Sequence, residues 1–197
     1  MRNSISTIIF PVLLVFTSVS NANAQVNSNK PNWFKQGLQA EYSDDFSLAV
    51  ENYTKSSALG VTDAGYALGR VYRNMGDTAS SLEWFLQSAN SGNKFSQYEV
   101  GMIFLRGNTS AAVNTQYAYK WLKYAAKAGH SEASYELYLL SDDLQWLEFA
   151  AEQGIEAAIR DIAVIYAKGS HSVKQDAQKS ENWLEKLAKI KEDRIEK

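Results

Sequence analysis

The sequence of 197 residues has no cysteine, two prolines and two histidines, and each scarcity excludes something. Without cysteine there is no disulfide framework, no thiol nucleophile and no thiolate metal site, and no N-terminal cysteine to carry a lipid. The prolines are Pro11 and Pro31, so 166 residues run on from Pro31 without the residue a helix interior tolerates least. An excess of positive charge is missing too. With 20 Lys+Arg against 22 Asp+Glu the formal net charge is −2, and the two signs are interspersed along the chain. Nucleic-acid binding calls for a basic face, so it is set aside. His130 and His171 stand in no metal-ligand spacing such as H-E-x-x-H. Neither a metal nor another cofactor is expected.

The first 24 residues read as a secretory signal peptide. Arg2 supplies a positive start, Ile8 to Val15 form an apolar run broken only by Pro11, and Ala22-Asn23-Ala24 is a small-x-small cleavage site before Gln25. A spanning helix needs about 20 mostly apolar residues. Ser6, Thr7, Thr17 and Ser18 interrupt this stretch. The expected product is therefore an exported, cleaved chain in the bacterial periplasm, with full secretion as the alternative and no stable membrane insertion after cleavage. Residues 25–31 read as a flexible lead-in.

Beyond Pro31 the chain repeats itself. Trp84, Trp121 and Trp146 each stand eight residues before a glycine (Gly92, Gly129, Gly154), and Asn52-Tyr53 stands in the same relation to Gly60. Apolar residues at offsets of three and four flank each glycine on both sides, which predicts two amphipathic helices per unit. A glycine between them can take positive φ and let the second helix fold back. The small pairs Ala125-Ala126 and Ala150-Ala151 permit close helix approach. One such hairpin cannot bury its own apolar stripe, so neighbouring units must stack.

These residues resemble the Sel1-like repeat, a relative of the tetratricopeptide repeat. The third unit matches its signature through Ala118, Trp121, Leu122, Ala125, Ala126, Gly129, Ala133, Tyr135 and Leu137. The first unit matches through Gly60, Ala64, Tyr66, Leu68, Gly69, Tyr72 and Gly76, and the second through Gly92, Tyr98, Gly101 and Gly107. The resemblance implies an all-α, right-handed α-solenoid of antiparallel helix pairs. The expected layout is an N-terminal capping helix at 32–43, four repeats at about 44–77, 78–114, 115–141 and 142–175, and a C-terminal capping helix at 176–197. Spacings between the repeat glycines are 32, 37 and 25, and Tyr138 and Ala163 stand where Gly69 and Gly101 stood earlier. Wider packing and an irregularity at residues 138–146 follow as expectations.

Little in the sequence points to catalysis. Ser91 and Lys94 match an S-x-x-K pattern, but the serine ends a helix where the motif needs one to start. Asp44-Asp45 and Asp142-Asp143 sit just before first helices, where capping explains them. His130 follows a hinge glycine and is expected at the solvent, as is His171 in its Gly-Ser-His-Ser loop. The tryptophans occupy the repeat's packing position, which is favoured over a sugar-stacking platform. Tyr119, Tyr124 and Phe149 fall outside the packing rows. Two readings of them stand: an exposed partner-binding patch, or burial in the uneven repeats.

The resemblance implies a protein that acts by binding another protein, as adaptor or inhibitor, rather than an enzyme. The expected partner is an envelope protein or a secreted effector. Small exported proteins of this resemblance include immunity proteins that neutralise toxic effectors delivered to the periplasm, and that role is the alternative.

Overall fold

The computed structural model describes residues 32–195, and the signal-like segment and the lead-in at 25–31 both lie outside them. The described residues form helices joined by short turns, with no strand among them. The single helix α1 (Trp33–Tyr42) is followed by four pairs. These are α2 (Phe46–Ala58) with α3 (Thr62–Asn74), α4 (Thr78–Asn90) with α5 (Lys94–Arg106), α6 (Thr115–Lys127) with α7 (Ser131–Ser141), and α8 (Leu144–Glu152) with α9 (Glu156–Lys168). A lone α10 (Ala177–Ile195) closes the series. Each helix packs chiefly on the one before and the one after it, which is the neighbour-only contact pattern of a solenoid.

Local chemistry sets the helix ends. Asp45, Asp77, Asn114 and Asp143 cap α2, α4, α6 and α8, their side chains accepting from Leu48, Ser80, Tyr117 and Gln145 backbone N–H groups. Within each pair the chain reverses at Gly60, Gly92, Gly129 or Gly154, with φ of 82°, 90°, 83° and 88°. A side chain there would be strained, and glycine avoids that cost. Asp44 and Asp142 are themselves left-handed, at φ 57° and 56°, the place taken by Gly76 between the first two pairs. The carboxylate pairs therefore divide the work: one residue turns the chain and the next caps the helix.

Four apolar clusters form the core, one about each repeat. Their deepest row lies one residue after the tryptophans: Tyr53, Phe85, Leu122 and Leu147 are all fully buried. Trp121 is buried, whereas Trp84, Trp146 and Trp183 are half-buried and pack on the cluster margins. The deep residue presses into a glycine of the preceding second helix. A Cβ at Gly37 would stand 2.6 Å from the Tyr53 ring, one at Gly69 2.5 Å from Phe85, and one at Gly101 2.7 Å from Leu122 Cγ. No real Cβ is accommodated that closely. Where Tyr138 takes the glycine's place, α7 and α8 approach each other more sparsely than any other pair of successive repeats. The shortness of α8, with 9 residues against 13 in α6, contributes as well.

The ends are built differently from the middle. Gln36 and Gln39 of α1 occupy the positions of Leu68 and Val71 in α3, and they are exposed. A polar face on a terminal helix keeps an array soluble. On α10, Leu184 holds the deep-row position but is 50% exposed, because no second helix follows to cover it within the described residues.

Candidate functional site: a side-chain ladder along the second helices

Polar and aromatic bridges join the second helices across every joint. At the first, Glu41 of α1 accepts from Arg70 of α3 (2.7 Å) and from the hydroxyl of Tyr53 (2.8 Å). Burial and the neighbouring carboxylate push the Tyr53 phenol well above the ordinary tyrosine range, so it stays a proton donor. At the second joint Arg73 of α3 donates to Glu99 of α5 (2.7 Å) and also lies over the Phe85 ring. The third is aromatic: Tyr98 of α5 stacks on His130 at the entry to α7, with centroids 4.3 Å apart and planes 15° apart. At the fourth, Tyr135 of α7 donates to Asp161 of α9 (2.8 Å), and desolvation with that carboxylate raises its pKa to about 12.

Tyr66, Tyr98 and Tyr135 hold one repeat position, six residues past the hinge glycine. All three phenols are raised by desolvation first. Each is half-buried, with its ring packed against the core. Tyrosine and arginine combine large contact area with directional hydrogen bonding, and they are enriched where proteins bind proteins.

His130 departs from the sequence expectation. It is only 8% exposed, held between Tyr98 and an edge-on Phe95 at 5.5 Å. Glu132 lies 3.2 Å from Nδ1 but without hydrogen-bond geometry, so that nitrogen is unpartnered. Desolvation lowers its pKa below the usual 6.5, with the Glu132 charge opposing in part. The signal available in the sequence was the equivalent Asn93, one residue past its own hinge glycine. It too is buried, and it reaches back across a joint to Asp63 (2.9 Å). That position is an inter-repeat contact.

The structure separates the three aromatic residues singled out above. Tyr119 is half-buried against the third cluster, with Lys123 over its ring. Tyr124 is 47% exposed, set edge-on against Trp121 and beneath Lys120. Five residues along α6 turns them about 140° apart, so they do not share a face. Phe149 is half-buried on α8. Tyr124 alone stands in the solvent-facing row of α6, beside Lys120 and Lys127.

His171 is the other histidine, and it donates from Nε2 to Asp142 (2.8 Å), with Ser170 Oγ 3.2 Å from its Nδ1. The order resembles a serine–histidine–aspartate relay, but such an aspartate is buried to orient the ring. Asp142 has 74% of its side chain exposed. The contact instead ties the loop after α9 to the turn before α8, much as Thr109 and Ser110 reach Thr78 (both 2.7 Å) one long loop earlier. Ser91 and Lys94 form no pair either: Ser91 caps the end of α4, and Lys94 donates to the Gly129 carbonyl (3.2 Å).

A repeat family model, Sel1 repeat, matches residues 33–61, 64–93, 94–130, 144–155 and 157–190. The chain belongs to the Sel1 repeat family, whose members typically serve as non-catalytic protein–protein interaction modules. Among curated proteins it is similar to an F-box protein of Arabidopsis thaliana, 29% identical over 91 residues that cover 46% of this chain and 25% of that protein. It is also similar to chitin synthase regulatory factor 4 of Schizosaccharomyces pombe, 33% identical over 99 residues that cover 47% and 15% of the two chains. Among solved structures the fold is similar to a Sel1 repeat protein from Oxalobacter formigenes, with TM-score 0.70, 22% identity and coverage of 82% and 69%. A second is c5321, a protective antigen of uropathogenic Escherichia coli, with TM-score 0.62, 24% identity and coverage of 72% and 33%. At these identities the two structures speak to the fold alone.

Proposed function

We propose that this protein is a non-catalytic binding module exported to the bacterial periplasm, where it acts as an adaptor or inhibitor of another protein. The observation that carries the reading is the ladder on α1, α3, α5, α7 and α9, a row of tyrosines, arginines and carboxylates locked to the scaffold at every joint. Side chains already held in place lose little freedom when a partner docks, which favours binding. The signal-like first 24 residues support export, and the lack of cysteine removes the means of lipid tethering. Neutralising a delivered toxic effector is the narrower form of the inhibitor role.

The test is affinity capture of the chain from Gln25 onward out of periplasmic extract, followed by mass spectrometry and reconstitution from purified components. One dominant partner at a one-to-one ratio supports an inhibitor, and its activity should fall on binding. Several envelope-assembly proteins support an adaptor. Capture of no protein at all overturns the proposal.

A further inference from the structure

The stripe of α6 that holds Tyr124 differs in charge from the first helices of the repeats before and after it. Lys120, Lys123, Tyr124 and Lys127 stand at i, i+3, i+4 and i+7, so they share one face of the helix. Lys120, Tyr124 and Lys127 are exposed and Lys123 is half-buried. No aspartate or glutamate occurs in α6. On α4, Glu83 stands in the place of Lys120, and on α8, Glu148 and Glu152 stand in the places of Lys123 and Lys127. The sign of the charge therefore inverts on this one helix.

Several cations elsewhere on the chain are neutralised by carboxylates. Lys55 and Arg160 each pair with a glutamate one turn earlier on their own helix, and Arg70 and Arg73 pair with glutamates on neighbouring helices. Among the described residues no ion pair reaches Lys120, Lys123 or Lys127. Instead the Lys120 ammonium lies 6.0 Å over the Tyr124 ring and that of Lys123 5.7 Å over the Tyr119 ring. A ring orients an ammonium but leaves its charge uncancelled. Tyr124 is itself braced edge-on by the buried Trp121, with centroids 5.7 Å apart. The helix dipole accounts for Lys127 in the last turn. It does not account for Lys120 midway along, and α4 and α8 end with no basic residue in the last turn.

We infer that this stripe docks an acidic segment of a partner protein, which runs along α6 with its carboxylates on the lysines. The inference rests on the protein-binding role proposed above and adds a contact on a first helix to the ladder on the second helices. Three uncancelled ammonium groups along about 10 Å of helix offer charge complementarity, which speeds encounter and fixes register. Tyr124 supplies a braced aromatic surface between them, a residue type enriched in interface cores. The narrowness of the stripe favours a single segment over a broad anionic surface. Glu83 on one side, with Glu148 and Glu152 on the other, would repel a lipid bilayer or a nucleic acid laid across the helices, and the chain as a whole carries a charge of −2.

The experiment uses the full chain from Gln25 onward, with backbone amides observed by ¹H–¹⁵N NMR. The probes are a blocked hexaglutamate peptide, the matching hexaglutamine, and phosphatidylglycerol vesicles. Hexaglutamate is expected to shift the amides of α6, while hexaglutamine and the vesicles leave them unmoved. Lys120→Glu combined with Lys127→Glu should weaken binding of hexaglutamate and of the captured partner about tenfold at low salt, with the helical signal unchanged. Lys189→Glu combined with Lys191→Glu reverses as much charge at exposed positions of α10 and should change either affinity little. Equal losses in the two double variants, no shift in α6 with hexaglutamate, equal shifts with hexaglutamine, or vesicle binding that depends on Lys120 and Lys127 would overturn the inference. A partner captured undiminished by the α6 double variant also overturns it and leaves the general binding role standing. Capture of nothing by the native chain overturns both.

Discussion

The joint between the first and second repeats and the joint between the third and fourth solve one packing problem in opposite ways. In the first, Gly69 gives up its side chain so that the Phe85 ring can rest on the α3 backbone. In the second, Tyr138 keeps its own ring, which lies 6.3 Å from that of Tyr135 and 6.5 Å from that of His171, and α8 stands off. The turn differs in step: Gly76 reverses the chain without strain, whereas Asp142 does so at φ 56° and is held by His171. Among the described residues, three of the four non-glycine residues with left-handed backbone, Asp142, His171 and Ser172, gather at that later joint. A repeat array can therefore lose a glycine and a loop at one place, provided that other contacts carry the load there.

The largest expected effect comes from breaking the closed joint. Gly69→Ala places a methyl 2.5 Å from Phe85, and neither the backbone nor a fully buried ring can give way. A loss of about 1–3 kcal/mol is expected from overpacking of this kind. The melting temperature should fall about 2–4 °C per kcal/mol for a chain of this size. In a Phe85→Ala background the same methyl should cost much less, and a double-mutant cycle in denaturant measures the coupling. Additive costs would show that the glycine serves the helix rather than the ring.

A smaller effect concerns the turns. Asp142→Gly relieves the left-handed strain but breaks the bond to His171, so the two changes oppose each other and stability should move by less than about 1 kcal/mol. Gly76→Ala has no such compensation and should destabilise by about 1 kcal/mol. Thermal melts of both variants compare the joints directly.

The smallest is a pH effect at the third joint. His130 titrates at its ordinary value of 6.5 when unfolded and lower when folded. Below that value the unfolded chain binds more protons, so stability falls as pH drops through the 6.5 region toward the folded pKa. Between pH of about 7.5 and 5.5 the native protein should lose stability that His130→Gln does not lose, read from urea midpoints at each pH. Parallel pH profiles would place the histidine in solvent.

Most of the fold was legible because helix period, hinge glycine and tryptophan spacing all specify the same unit, and local signals that agree with the global fold are easy to read. The two acidic turns were legible for the same reason, since a cap announces itself in sequence. The ladder was not. Glu41 and Arg70 are 29 residues apart and Tyr135 and Asp161 are 26 apart, and only stacking brings them together. His130 was misplaced because a residue beside a turn is ordinarily exposed. Here the preceding repeat supplies Phe95 and Tyr98 to cover it.

One packing rule, a deep side chain set into a backbone glycine, holds at the first three joints and lapses beyond them, where Tyr138 on α7 and Ala163 on α9 stand in the glycine's place. Hydrogen exchange under native conditions tests it most directly, because it resolves which helices open together. Amides of α8, α9 and α10 are expected to exchange as a set at lower opening free energy than those of α3 to α6. A single global opening shared by all helices, or earlier opening of α3 to α6, would contradict it.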